Sequence, residues 1–311
     1  MRKTIDDLFE QFLQEWEFTR RAKKSTLRGF VQAIKLFRDL LPDVTIETLT
    51  VASVTQFFRV LQQRKRRVGK GIIKTGVKNS TVRNYWSKLN TFFEWLYVHH
   101  YLSENPFRFM RLPPLVWDDV KFLKKEQIER IFNVLHNPVN PRTILAKRNL
   151  AMFYVFLFCG LRKEELLQLQ VRDVDLERKI LTVRAETSKI PRTRQIPLHT
   201  TTVMYLTDYL RERRQKQTPF LFVSNSRDDR ISTNGLTDIV TELKKRSGVR
   251  FHLHQLRHTF AVNFLKSSNN VVKLKQLLGH TDIKMTLVYV RCLPTNELRA
   301  DVQHMRIDEF V

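Results

Sequence analysis

The chain has 311 residues, with 55 Lys and Arg against 31 Asp and Glu, a formal charge of +24 with histidines neutral. Its length and 42% hydrophobic content, with only 8 Gly and 10 Pro, suit about two cored domains and exclude wholesale disorder and collagen-like fibres. Two cysteines, Cys159 and Cys292, cannot build a disulfide framework or a four-thiolate zinc site, which points to a reducing, cytoplasmic setting.

The start, Met1-Arg2-Lys3-Thr4-Ile5-Asp6-Asp7, has no apolar core of a signal peptide. The longest apolar stretch, Asn149 to Leu161, is too short to span a bilayer and reads as a buried helix, so no membrane partner is expected. Charge of this size favours a polyanionic partner, nucleic acid before an anionic membrane, because neutralised phosphates release counterions. Residues 1 to 112 carry +11 and the remainder +13. Both halves are basic, as expected of a clamp that touches a duplex from two sides.

In chain order, Leu8, Phe9, Phe12, Leu13 and Trp16 recur at helical spacing, as do Phe30, Ala33, Ile34, Phe37 and Leu41. A third helix is expected around Phe57 and Leu61, starting at Ser53 or Thr55. A fourth, capped by Ser80, carries Val82, Tyr85, Leu89, Phe92, Phe93 and Leu96. Between them Arg64, Lys65, Arg66, Arg67 and Lys70 read as a loop that meets DNA phosphate. Pro106 and Pro113-Pro114 mark a linker. The expected division is a helical domain over 1–112, a linker over 113–121 and a second domain over 122–311. That domain reads as a helix over Glu126 to Leu135, the apolar helix, strands at Ile180–Arg184 and Arg194–Leu198, a short third strand at Phe220–Val223, then helices from about 233. The class is therefore mainly α with a small antiparallel sheet, α+β.

Three segments bear on phosphate chemistry. In Cys159-Gly160-Leu161-Arg162, a glycine ends the apolar helix and an arginine follows on a rigid support. In His254-Gln255-Leu256-Arg257-His258, helical spacing projects His254, Arg257 and His258 together. The absence of a glutamate after His254, and the presence of Arg257, favour an anion over a zinc ion. In Leu278-Gly279-His280 a histidine follows a helix-ending glycine, and Tyr289 lies nine residues on.

Taken together and in this order, the arginine, hairpin lysine, His-x-Leu-Arg-His, Leu-Gly-His and tyrosine resemble the tyrosine recombinase (phage integrase) family of site-specific DNA recombinases. The motifs cover residues 122 to 290, and the first half is similar to the family's four-helix core-binding domain. The resemblance implies cleavage and rejoining of DNA through a 3′-phosphotyrosyl intermediate, without metal or cofactor, in integration, excision or dimer resolution. It makes Tyr289 the nucleophile, Arg162 and Arg257 the phosphate clamp, His254 a base or phosphate donor and His280 a phosphate donor. Lys189 is the matching general acid, although the family's usual neighbouring glycine is absent, and Arg192 or Arg194 is expected to contact DNA beside it. Glu165 is expected to support the basic groups. Cys159 stands where the family often has threonine, and Arg291 where a histidine often follows the tyrosine.

The implied partner is double-stranded DNA, bound by a homotetramer on two sites that is a monomer or weak dimer off DNA. The alternatives are a recombinase-like binding protein without catalysis and a type IB topoisomerase. Leu298, Val302 and Met305 suggest a terminal helix, which in the family often docks on a neighbouring protomer. Deletion from Asn296 is accordingly expected to abolish recombination while sparing binding to a single site; unchanged recombination in a plasmid assay would refute the exchange.

Overall fold

The computed structural model describes residues 3–69, 71–112, 114, 120–141, 143–187, 192–213, 217–224 and 227–293. The chain divides into two compact units, Met1–Trp117 and Asp118–Val311. The expected linker lies largely outside the described residues, as does the terminal helix. None of the described helices is long and apolar enough to cross a membrane.

The first unit is built by the apolar stripes of four helices, α1 (Ile5–Phe18), α2 (Lys24–Leu40), α3 (Val51–Gln63) and α4 (Asn79–Val98). Their phenylalanines interlock edge to face: Phe12 on Phe30 at 5.1 Å, Phe9 on Phe92 at 5.2 Å and Phe37 on Phe93 at 5.6 Å between ring centres. Thr4 and Asp7 close a reciprocal cap on α1, the Thr4 amide donating to the Asp7 carboxylate at 2.8 Å. Two helix starts differ from expectation. Thr50, not Ser53 or Thr55, caps α3, and Lys78 precedes α4 without a side-chain cap, so Ser80 lies inside the helix.

The basic segment expected as a loop is instead a hairpin. Strands β1 (Lys65–Val68) and β2 (Ile72–Thr75) pair antiparallel, with Arg67 opposite Ile73 and Val68 opposite Ile72. No further strand joins it among the described residues. Ile72 and Ile73 are 59% and 65% exposed, so this ribbon stands without a core of its own.

The second unit is organised around α6 (Ile144–Cys159), whose Met152, Phe153, Val155 and Phe156 are all buried. It packs against α5 (Lys125–His136), α8 (Thr200–Arg213) and α10 (Leu253–Ser268). A three-stranded antiparallel sheet, β3 (Val174–Asp175), β4 (Ile180–Val183) and β5 (Arg194–Pro197), covers one side with Leu181, Val183 and Ile196 turned inward. Phe220 and Val223 make only isolated bridges, so the third strand expected there is absent and β3 takes the third place in the sheet. The helices α7 (Lys163–Leu167), α9 (Thr233–Ser247), α11 (Val271–Leu278) and α12 (Lys284–Val290) complete the unit. A separate small cluster of Ala261, Val262, Leu265, Leu274, Leu278 and Tyr289 ties α10, α11 and α12 together.

Gly160 ends α6 in the left-handed region, φ 60 and ψ 32, and a Cβ there would lie 2.3 Å from the ring of Phe260. Both constraints oppose any side chain. Gly160→Ala is expected to lower the unfolding free energy by about 2 kcal/mol or more. Thermal melting followed by circular dichroism checks this, and an unchanged midpoint contradicts it.

Candidate active site

The site forms where two helix ends meet. Helix termini leave carbonyls without partners inside the helix, and these carry the negative end of the helix dipole. At the end of α6, the Gly160 carbonyl accepts from Arg257 Nη1 at 2.7 Å. At the end of α11, closed by left-handed Gly279, the Leu278 carbonyl accepts from Arg257 Nη2 at 2.8 Å and from Arg162 Nη1 at 3.5 Å. The neighbouring Leu277 carbonyl accepts from Arg194 Nε at 2.8 Å. Three guanidiniums are thus anchored by backbone.

One carboxylate sits among them. Glu165, 1% exposed on α7, accepts from Arg162 Nη1 at 2.8 Å and from the Arg162 amide at 2.9 Å. It takes two parallel bonds from Arg194, Nη1 at 3.1 Å and Nη2 at 2.7 Å, and lies 3.9 Å from Arg257 Nη1. Burial alone would raise the Glu165 carboxyl, but the Arg194 bonds and charge, with those of Arg162, outweigh it and hold it down at about 2. Burial first, then Arg162, pushes Arg257 down to about 9, which leaves it charged at neutral pH. One negative and three positive charges leave the cluster two charges positive.

The histidines in this field are neutral. His280, after Gly279, faces Arg257 Nη2 with Nε2 at 3.0 Å and Thr286 Oγ1 with Nδ1 at 2.9 Å. Burial, then Arg257, Arg162 and Arg194, lowers it to about 3. Since guanidinium nitrogen only donates, His280 Nε2 accepts and Nδ1–H donates to Thr286. His254 is held below its ordinary value by burial, Arg257 and Arg162, and its ring meets that of His258 edge-on at 4.3 Å.

Tyr289 is 3% exposed on α12, three residues from Thr286 and so on the same helix face. Its hydroxyl lies 2.9 Å from His258 Nδ1. Burial raises the phenol above its ordinary 10.0, against the opposing pull of Arg257 and Arg162. A cavity of about 540 Å³, lined by Arg192, Lys275, His280 and Arg194, opens beside the cluster.

Of the residues expected in the site, Arg162, Arg257 and His280 join one hydrogen-bonded network, and Tyr289 reaches it through α12. His254 stands beside His258 rather than on the tyrosine hydroxyl. Arg194, expected as a DNA contact, is turned inward because Glu165 and Leu277 take its donors. Arg192 is exposed; Lys189 and Lys70 lie outside the described residues. The bond from His258 to Tyr289 was not anticipated, since helical spacing placed His258 with Arg257 but named no partner for it. No three His, Cys, Asp or Glu side chains group as metal ligands among the described residues.

Residues 121–295 match the Phage integrase family, and residues 8–101 match Phage integrase, N-terminal SAM-like domain. The chain belongs to the phage integrase family: it is a tyrosine recombinase, an enzyme that performs site-specific recombination by cutting and rejoining DNA. It is 27% identical over 291 residues to Tyrosine recombinase XerC of Bacillus pumilus (strain SAFR-032), covering 91% of this chain and 90% of the relative. To Tyrosine recombinase XerC of Vibrio parahaemolyticus serotype O3:K6 it is 31% identical over 230 residues, 72% of this chain and 71% of the relative. Its fold is similar to that of the Tn1549 transposon integrase in complex with circular intermediate DNA (TM-score 0.75, 18% identity, 97% of this chain and 99% of that one). It is also similar to that of XerH site-specific recombinase bound to palindromic difH substrate (TM-score 0.71, 17% identity, 94% and 83%).

Removing the central carboxylate tests the charge arrangement. Because the Glu165 carboxyl is held below its ordinary 4.5, its contribution to stability is complete above that pH and lost as pH falls toward about 2. Its size is about 3 kcal/mol. Glu165→Gln is expected to melt at lower temperature than the parent at neutral pH, with the gap narrowing between pH 4.5 and 2. A gap that does not change with pH would show that Glu165 acts by shape alone.

Proposed function

We propose that this recombinase cleaves one DNA strand at a time by attack of the Tyr289 hydroxyl on a phosphodiester held by Arg162 and Arg257, leaving a 3′-phosphotyrosyl link and a free 5′-hydroxyl. The observation that carries this reading is the doubly positive cluster about Glu165, joined through His280 and Thr286 to the helix that bears the tyrosine. Guanidinium is planar and remains charged, so it donates paired hydrogen bonds to phosphate oxygens and stabilises the added charge of a five-coordinate phosphorus. In this reading His254 and His280 meet the same phosphate, and the Lys189 ammonium protonates the departing 5′-oxygen, which a guanidinium does poorly. The tyrosyl ester retains the energy of the broken bond, so the exchanged strand rejoins without added energy.

The DNA contacts belong to the same proposal. Between Glu47 and Glu94 the sequence holds no carboxylate and ten Lys and Arg, among them Arg64, Lys65, Arg66, Arg67 and Lys70 on and around the hairpin. A two-stranded ribbon fits the major groove, and this charge suits its phosphate walls. Arg192, exposed at the cavity beside His280, is a further phosphate contact. We assign the assembled form to a homotetramer on two duplex sites, in the cytoplasm, serving mobile-element movement or dimer resolution. The complexes of XerH with difH and of Tn1549 integrase with circular intermediate DNA support DNA as the partner.

The test is a covalent adduct. A duplex selected from random sequence by its affinity for the protein, nicked near its centre, is incubated with enzyme in excess chelator and resolved under denaturing conditions. The expected result is a protein–DNA adduct that Tyr289→Phe abolishes. An adduct that persists in Tyr289→Phe, or one that requires magnesium, overturns the proposal.

A further inference from the structure

A phenol buried at neutral pH is a poor nucleophile, because the proton must leave as the oxygen bonds phosphorus. The hydrogen-bond partner of that hydroxyl therefore bears directly on the chemistry. Among the described residues the partner is His258 on α10, with Nδ1 2.9 Å from the Tyr289 oxygen and ring centres 5.5 Å apart. His254, one turn earlier, meets the face or edge of His258 and makes no bond to the tyrosine.

We infer that His258 is a catalytic residue of this recombinase, accepting the Tyr289 phenol proton on Nδ1 during strand cleavage and returning it during rejoining. The inference rests on the reading of Tyr289 as nucleophile. In cleavage the phenol O–H bond breaks, its oxygen forms the bond to phosphorus, the bond from phosphorus to the 5′-oxygen breaks, and that oxygen takes a proton from Lys189. In rejoining the 5′-hydroxyl loses its proton to the lysine as it attacks, and the departing phenolate regains its own from His258.

The surroundings suit a proton acceptor that acts only with substrate in place. His258 is faced by His254 and Arg257 of its own helix and by Tyr289 of α12. Burial, then His254 and Arg257, holds it down at about 4, so the ring is neutral at working pH. With its proton on Nε2, Nδ1 is open to the phenol. In the free protein the transfer is uphill, because burial also raises the phenol. A phosphodiester on Arg162 and Arg257 brings negative charge beside the imidazole, offsets the arginines' field and raises its affinity for a proton. Substrate binding thus moves the acceptor toward the range where general-base catalysis is effective.

The decisive measurement is the rate of adduct formation against pH for the parent, His258→Ala, His258→Gln and His254→Ala. The substrates are the nicked target duplex and the same duplex with a bridging 5′-phosphorothiolate, whose sulfur leaves without an acid. His258→Ala is expected to slow the adduct by about 10²-fold or more at neutral pH on both substrates. The deficit should shrink as pH rises and hydroxide takes over deprotonation, and target binding should be unchanged. His258→Gln, which retains an acceptor but no basic nitrogen, should show the same pH-dependent deficit and serves if the alanine variant fails to fold. A deficit that is constant with pH, full rescue by glutamine, or a pH-dependent loss in His254→Ala alone overturns the inference. An adduct retained in Tyr289→Phe overturns the nucleophile reading itself and is scored separately.

Discussion

Three guanidiniums share one buried carboxylate, and the rest of the catalytic unit is arranged to make that tolerable. At an effective dielectric of about 20, two unit charges several ångströms apart interact by a few kcal/mol. Arg162, Arg194 and Arg257 would therefore repel one another strongly enough to open the site if Glu165 were their only restraint. The additional restraint is backbone. The Gly160 carbonyl, at the end of one buried helix, and the Leu277 and Leu278 carbonyls, at the end of another, fix the guanidiniums while leaving their charge uncompensated. What remains is a preformed excess of two positive charges, which suits an anion. An ordinary ion-pair network would balance its charges internally and have nothing left with which to bind an anion.

The same field sorts the protonation states around it. Arginine stays charged under desolvation, whereas imidazole loses its proton, so His258 and His280 fall to about 4 and 3 and act as neutral hydrogen-bonding groups. Tyr289 feels two opposing influences, and burial exceeds the arginines' pull, so the phenol is held protonated. The free protein therefore holds its guanidiniums charged and the Tyr289 phenol protonated. In the proposed reaction that asymmetry keeps Tyr289 from attacking before DNA is bound.

Much of this was legible in the sequence, for identifiable reasons. Phe30, Ala33, Ile34 and Phe37 mark a buried helix face because a packed bundle demands period 3.6. Gly160 before Arg162, and Gly279 before His280, mark helix ends because only glycine takes that backbone conformation readily. Periodicity could not bring Arg162, Arg257 and Tyr289 together; the resemblance did so. What stayed hidden depended on register and on distant partners. Arg194 in a charged run reads as a DNA contact until the sheet places the first residue of β5 beside Glu165. The run Lys65-Arg66-Arg67-Val68 lacks the apolar alternation that announces a strand, although Gly69 and Gly71 bracket its turn. The partner of His258 lies thirty-one residues away, on a helix of only seven residues.

That short helix joins Tyr289 to the guanidinium cluster more tightly than sequence distance suggests. Thr286 and Tyr289 lie on one face of α12, and each is held by a histidine: Thr286 by His280 Nδ1, Tyr289 by His258 Nδ1. His280 in turn faces Arg257 through its other nitrogen. If the proposed attack requires α12 to rotate or slide toward phosphorus, the Thr286 hydroxyl moves with it, and the bond that keeps the His280 proton on Nδ1 changes. With that bond weakened, and a phosphate oxygen competing for Arg257 Nη2, the proton is free to sit on Nε2, where it can be donated to the same phosphate. In the proposed reaction, the advance of Tyr289 and the conversion of His280 from acceptor to donor are then coupled through one helix, on which Thr286 and Tyr289 stand one turn apart.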